Sequence, residues 1–308
     1  MIAFYADIGP RTGLGHVRRC QALAEAMTAQ RPVFLAPTGE AARLLRQLGL
    51  RVQRWSPTTR FELLIVDSYM ASLARWRSLR RSAKQLVALN DGARVPVSCD
   101  WIINTGITAG EVSYQSSPCN NFLLGPRFHL MRREMRKPQR ARRTGQPQRL
   151  LITLGGSPNP RWIRAAVKAA RIALPKAQLR VTATRPPGGL SADYLGARTD
   201  MRKQLRWCDS ALSAGGQTLY DLAHAGVPTV AFSTAANQKG NVEGLARAGA
   251  LLSAGSSSAK QFPRKLAAQL KRTALSAPLR RRLSTCGQNL IDGKGATRVA
   301  RVLQQEAL

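Results

Sequence analysis

The chain has 308 residues, 44% of them hydrophobic, and 48 Lys and Arg against 16 Asp and Glu, for a formal charge of +32. This length predicts two domains of about 150 residues each, and no apolar run reaches the ~18–20 residues that a bilayer-spanning helix needs. Five scattered cysteines (Cys20, Cys99, Cys119, Cys208 and Cys286), none in a CxxC pair, argue against both a disulfide framework and a zinc site.

The first half alternates strand and helix signals. Apolar runs at Ile2–Ala6, Pro32–Ala36, Arg51–Arg54, Leu63–Val66, Gln85–Leu89 and Trp101–Asn104 read as strands, with helical spacing over Arg18–Ala29, Glu40–Leu48 and Ala71–Arg81 between them. Short apolar strands alternating with amphipathic helices imply a parallel sheet. Arg132–Arg149 interrupts the pattern with eight basic residues and two prolines, which marks a linker or exposed crossover. A second series follows: a strand from Leu150, a helix over Pro160–Leu174, strands at Gln178–Ala183, Ser210–Ala214 and Thr229–Ser233, and helices at Gln217–Ala225, Asn237–Ala248, Lys260–Ser276, Ala277–Leu290 and Ala296–Glu306. The expected organisation is an α/β chain of two Rossmann-like domains facing across a cleft. Residues 1–135 form the first, 136–149 a basic linker and 150–308 the second, with the last helix packing back on the first. Ligands are expected beyond the carboxyl ends of the strands.

Three glycine turns stand at such strand ends. Gly13-Leu-Gly15-His16 follows the first strand and delivers one of only three histidines to the start of a helix. It lacks the third glycine of a dinucleotide fingerprint, and Pro37-Thr38 stand where the acid ending the second strand belongs. Gly155-Gly156-Ser157 closes the first strand of the second half, and Ser213-Ala-Gly215-Gly216-Gln-Thr218 closes a later one and opens a helix. Each glycine pair also reads as a tight strand-to-helix turn, but backbone N–H groups at such turns suit a diphosphate without a metal. Asp221, on the helix opened by Gly216, is placed to accept from ribose hydroxyls or simply to meet solvent. Asn237-Gln238 read as sugar-hydroxyl ligands or a helix cap. Asp67-Ser68-Tyr69, at a strand end, read equally as a turn and as a ligand-facing group. His129 and His224 sit among apolar neighbours and read as structural. No metal-ligand pattern or Walker loop occurs, so no metal or other cofactor is expected.

Arginine supplies 38 of the 48 basic residues and is spread along the whole chain. Such a charge attracts polyanions, and peripheral contact with an anionic membrane surface suits it. Without zinc-finger, RNA-recognition or basic-heptad patterns, no specific nucleic-acid partner is expected. The N-terminus shows no basic leader with an apolar stretch and cleavage site, so a cytoplasmic protein is expected.

Taken in order, Asp7…Gly13-Leu-Gly15-His16-Val-Arg-Arg19-Cys20, Ile65-Val-Asp67-Ser-Tyr69, Leu123-Leu-Gly125-Pro126, Leu154-Gly-Gly156-Ser, Ser213-Ala-Gly-Gly216-Gln-Thr-Leu-Tyr-Asp221, Gly226-Val-Pro228, Asn237-Gln238 and Asp292-Gly-Lys-Gly295-Ala-Thr-Arg298 resemble the nucleotide-sugar hydrolase family of pseudaminic acid biosynthesis (PseG-like). The resemblance spans nearly the whole chain. It implies a MurG-like GT-B fold and hydrolysis of UDP-2,4-diacetamido-2,4,6-trideoxy-β-L-altropyranose to UDP and the free sugar. By the same resemblance, His16 would activate the attacking water, Tyr69 and Asn237 would position sugar and water, and the second-domain glycine turns would hold the diphosphate. Asp221 would stand in for the glutamate usual at the ribose. A neutral histidine is a competent base near neutral pH, and Arg18, beside the glycine loop, is a candidate to neutralise the UDP leaving group. The chain departs from the family at Asn90-Asp91-Gly-Ala-Arg94-Val-Pro-Val97-Ser-Cys99-Asp100, where asparagine replaces the first of two acids and Val97 replaces a histidine. The competing expectations are a GT-B glycosyltransferase using a UDP-sugar donor at a membrane surface, and a non-catalytic protein that binds nucleic acid or other anions.

Overall fold

Each half of the chain opens on a strand whose residues are apolar on both faces, as a parallel strand covered by helices on both sides must be. The computed structural model describes residues 1–9, 14–27, 30–56, 58–92, 98–115, 118–136, 145–155, 158–183, 187–196 and 199–305. They divide into two units, one of Met1–Arg133 with Gly293–Leu308, the other of Glu134–Asp292.

In the first unit β1 (Ile2–Ala6), α1 (Gly15–Ala24), β2 (Val33–Ala36), α2 (Gly39–Gln47), β3 (Val52–Arg54), β4 (Phe61–Asp67), α3 (Leu73–Arg81), β5 (Ala83–Leu89), β6 (Trp101–Asn104) and β7 (Asn121–Leu124) follow one another. The strands form one parallel sheet in the order β3-β2-β1-β4-β5-β6-β7. Alternation along β1 and β4 assigns the two faces. Phe4, Ala6, Leu63 and Ile65 pack against Val17, Cys20 and Leu23 of α1, while Ala3, Tyr5, Leu64 and Val66 lie under Trp76 and Leu79 of α3. The β1–β4 register sets Ala6 opposite Asp67, so Asp7 and Asp67 leave neighbouring strands at the same end.

The second unit runs β8 (Arg149–Thr153), α4 (Pro160–Ala173), β9 (Gln178–Thr182), β10 (Asp193–Leu195), α5 (Met201–Trp207), β11 (Ser210–Ala214), α6 (Thr218–His224), β12 (Thr229–Ser233), α7 (Lys239–Arg247), β13 (Leu252–Ser256), α8 (Phe262–Leu275) and α9 (Ala277–Leu290). Its sheet, also parallel, has the order β10-β9-β8-β11-β12-β13. The final helix, α10 (Gly295–Gln305), returns to the first unit, where Ala296, Val299, Ala300 and Leu303 join the α1 core. Its first residue has to be glycine: a Cβ on Gly295 would lie 2.3 Å from the His129 carbonyl oxygen.

Both sheets share the doubly wound order of a dinucleotide-binding fold, with strand order reversing between β1 and β4 and between β8 and β11. Ligands in such sheets bind at that reversal, outside the carboxyl ends of the strands. Helix α1 begins at Gly15 rather than Arg18, which brings His16 inside its first turn. Strands β7, β10 and β13 and helix α5 are additions to the sequence expectation. All three strands are sheet edges, short and partly exposed, where burial imposes little apolar pattern. Of the expected linker, residues 137–144 lie outside the described residues.

Candidate active site

The carboxyl ends of β1, β4 and β5 converge on a cluster of polar side chains in the first unit. His16 and Arg19 stand three residues apart on α1, hence on one face of the helix, and both are buried, at 8% and 7% exposure. His16 Nδ1 lies 2.6 Å from Oδ1 of Asp67, which ends β4 and is fully buried. Arg19 forks onto the same carboxylate, Nε donating to Oδ2 and Nη2 to Oδ1 at 2.7 Å. Its Nη1 donates to Asp91 Oδ2 at 2.6 Å, and the Tyr69 hydroxyl donates to the same oxygen at 2.6 Å. The Tyr69 ring closes the circuit by meeting the His16 ring edge-on, with centroids 4.4 Å apart.

Two further groups hold this arrangement. Asp7 accepts from Ser68 Oγ at 2.6 Å, Tyr69 N at 2.6 Å and Met70 N at 3.0 Å, fixing the loop that presents Tyr69. Asn104 Nδ2, at the end of β6, donates to the Asp91 carbonyl at 3.2 Å. Burial alone pushes the Asp67 carboxyl up, but the charge of Arg19, then its hydrogen bonds and that of His16, hold it below its ordinary value. Burial, with Asp91 alongside, pushes the Tyr69 phenol up, so it remains a donor. A carboxylate is acceptor-only, so His16 donates from Nδ1, and in a neutral ring the lone pair would sit on Nε2. The result is an imidazole oriented by a buried carboxylate, a geometry that a general base and its orienting acid require.

In the second unit, Gln238 Oε1 accepts from Gly215 N at 3.2 Å, Thr234 N at 3.0 Å and Thr234 Oγ1 at 3.0 Å, which ties the ends of β11 and β12 together. Asn241 Nδ2 donates to the Gly215 carbonyl at 3.0 Å and its Oδ1 accepts from Tyr220 at 2.8 Å. This close approach leaves no room for a side chain at Gly215, where a Cβ would meet Gln238 Cβ at 2.7 Å.

The structure places the remaining expected site residues as follows. The Gly215 N–H donates to Gln238 and the Gly216 N–H to the Ala214 carbonyl, and the N–H groups of Gln217 and Thr218 follow where α6 opens. Ser213 is fully buried and donates to the Ala214 carbonyl at the end of β11. Gln238 is a loop clasp through its oxygen. Thr218 and Asp221, three apart on α6, are half-buried, and Asn237 is exposed on a single 3-10 turn that precedes α7. Gly15 is exposed at the start of α1; Arg18 is half-buried and donates to Gln21 on its own helix. Gly155 ends β8 at φ +95°, a conformation glycine favours. Gly13 and Gly156 lie outside the described residues. His224 is buried between the carbonyls of Ile291 and Arg136, at 2.8 and 3.2 Å.

Sequence reasoning gave Arg19 and Asp91 no role in the site, although both lie in motifs it quotes, and did not single out Asn104. A signal was present: with only 16 acidic residues in the chain, Asp7, Asp67 and Asp91 stand at the carboxyl ends of three strands that prove to be neighbours. Among the described residues no group of three or more His, Cys, Asp or Glu side chains is placed to hold a metal ion, and no helix is long and apolar enough to cross a membrane.

No family model matches the chain. It is 25% identical to the spore coat polysaccharide biosynthesis protein SpsG of Bacillus subtilis (strain 168), over 98% of this chain and 97% of that protein. It is also 25% identical to a Helicobacter pylori (strain ATCC 700392 / 26695) protein named pseudaminic acid cytidylyltransferase and UDP-2,4-diacetamido-2,4,6-trideoxy-beta-L-altropyranose hydrolase, over 74% of this chain but only 43% of that protein. Among solved structures it is similar to the spinosyn forosaminyltransferase SpnP (TM-score 0.72, 13% identity, 99% and 98% of the two chains) and to Acinetobacter baumannii MurG (TM-score 0.69, 15% identity, 99% of both chains). It is similar too to Anabaena HepE in complex with UDP (TM-score 0.64, 12% identity, 99% of both chains). The fold is that of the GT-B proteins.

Proposed function

We propose that this chain is a nucleotide-sugar hydrolase that releases UDP from a UDP-linked sugar, with His16 as general base. One observation carries the reading: the buried Asp67 carboxylate fixes His16 Nδ1 at 2.6 Å, which directs the basic Nε2 away from the carboxylate. In the reaction Nε2 takes a proton from water, the water oxygen bonds to the anomeric carbon, and the bond from that carbon to the diphosphate oxygen breaks. UDP leaves with the electron pair. Tyr69 and Asn237 position sugar and water. In the second unit, the first N–H groups of α6 with Thr218, together with Gly155 and Gly156, take the diphosphate, and Asp221 takes the ribose. The two relatives, both named for sugar-related biosynthesis, support a sugar substrate. The Helicobacter protein's name favours a UDP-linked diacetamido-trideoxyhexose.

A second reading, transfer of the sugar to an acceptor hydroxyl, is favoured by the glycosyltransferases among the structural neighbours. There the same Nε2 would deprotonate the acceptor. Incubation with a UDP-sugar and no acceptor separates the two. Hydrolysis predicts steady UDP release, lowered roughly 10²–10⁴-fold in His16→Ala with the circular dichroism spectrum unchanged. UDP release only after an acceptor is added would sink the hydrolase reading and leave the transferase.

A further inference from the structure

We propose that Arg19 is a positioning residue for the base: by sharing its guanidinium between Asp67 and Asp91 it offsets the carboxylate behind His16, so that the imidazole works in its neutral form while Tyr69 is held beside it. The inference rests on the reading of His16 as base.

The argument begins with a conflict. A buried carboxylate 2.6 Å from an imidazole favours the imidazolium, because an opposite charge at that distance stabilises the protonated ring. An imidazolium has no lone pair to accept a proton from water. Asp67 is therefore a good orienter but, alone, a poor neighbour for a base that must be neutral. Arg19 resolves the conflict. Two of its nitrogens bond to Asp67 and a third to Asp91, contacts that include the two oxygens that orient His16 and Tyr69, Asp67 Oδ1 and Asp91 Oδ2. The fork is geometric as well as electrostatic, and a lysine ammonium cannot reproduce it.

The other titratable or charged groups on the elements around the ring, among the described residues, make the following contacts. On α1, Arg18 donates to Gln21 and Cys20 is a fully buried thiol pushed up by burial. From β1, Asp7 is engaged by Ser68 and the Tyr69 and Met70 amides. At the ends of β4 and β5 stand Asp67, the Tyr69 phenol and Asp91. Arg19 is the cation that lies against the Asp67 carboxylate on both of its oxygens.

The test reads protonation directly. With only three histidines in the chain, the His16 ring can be assigned by NMR through His16→Asn and titrated, alongside the pH dependence of kcat/KM for UDP release. In Arg19→Met, the ring titration and the acidic limb of the profile are expected to move to higher pH by about one unit or more; Arg19→Lys, which keeps the charge without the fork, is expected to return both most of the way to the wild-type pH. If Arg19→Met does not fold, Arg19→Gln/Asp91→Asn takes the cation from Asp67 without leaving Asp91 unpaired and is expected to show a smaller movement in the same upward direction. A His16 titration that stays at the wild-type pH in a folded variant overturns the proposal. A shifted titration in a chain that turns over no UDP-sugar leaves Arg19 its role and removes the hydrolase reading instead.

Discussion

Asp67 serves two partners with two oxygens, and its charge is what the site needs at neutral pH. The carboxylate is held below its ordinary value in the folded chain, whereas in the unfolded chain an aspartate titrates near ~3.9. The unfolded state therefore binds more protons as the pH falls, and stability from this group is full above that value and is lost as pH drops through the folded one. Thermal melts of the wild type are expected to be level in this respect above about pH 5 and to fall steeply below about pH 4. Asp67→Asn should flatten that fall at a lower overall stability, and a fall equally steep in the variant would assign it elsewhere. His16 was legible in the sequence because histidine is rare here and a glycine turn precedes it. Arg19 was not: one of 38 arginines carries no mark of burial, and its two carboxylates lie 48 and 72 residues away, joined to it only once β4 and β5 pair in the sheet.

At the level of elements, the central strands announce themselves because burial on both faces demands unbroken apolar runs, as in Phe61-Glu-Leu-Leu-Ile-Val with its single exposed Glu62. Edge strands such as Asp193–Leu195 have no such demand and escaped notice. The glycine turns were visible as turns, but their purpose was not. Whether Gly215 offers its N–H to a ligand or to Gln238 depends on a residue 23 positions later. The contact of α10 with the 128–129 segment is the tightest of these joints. In Gly295→Ala the new methyl would fall 2.3 Å from the His129 oxygen and 2.5 Å from its nitrogen, both backbone atoms that cannot turn aside. The expected cost is about 3 kcal/mol or more, from overpacking against rigid neighbours, read as a lowered denaturant midpoint; a midpoint equal to wild type would show that α10 docks otherwise.

For the molecule as a whole, the excess of 48 basic over 16 acidic residues sets like charges against one another. Salt screens that repulsion, so the melting temperature is expected to rise by a few degrees between about 0.05 and 0.5 M sodium chloride; a fall would mean that favourable ion pairs dominate. The route of the chain has a further consequence. The first unit is assembled from two separated stretches of sequence, Met1–Arg133 and Gly293–Leu308, with the whole of the second unit between them. On the ribosome, the half that emerges first must therefore wait, with Val17 and Leu23 lacking the cover that Val299 and Leu303 provide, until the last helix is made. The half that emerges later is complete before it. Order of synthesis and order of completion are reversed, and the earliest-made surface of α1 is the last to be sealed.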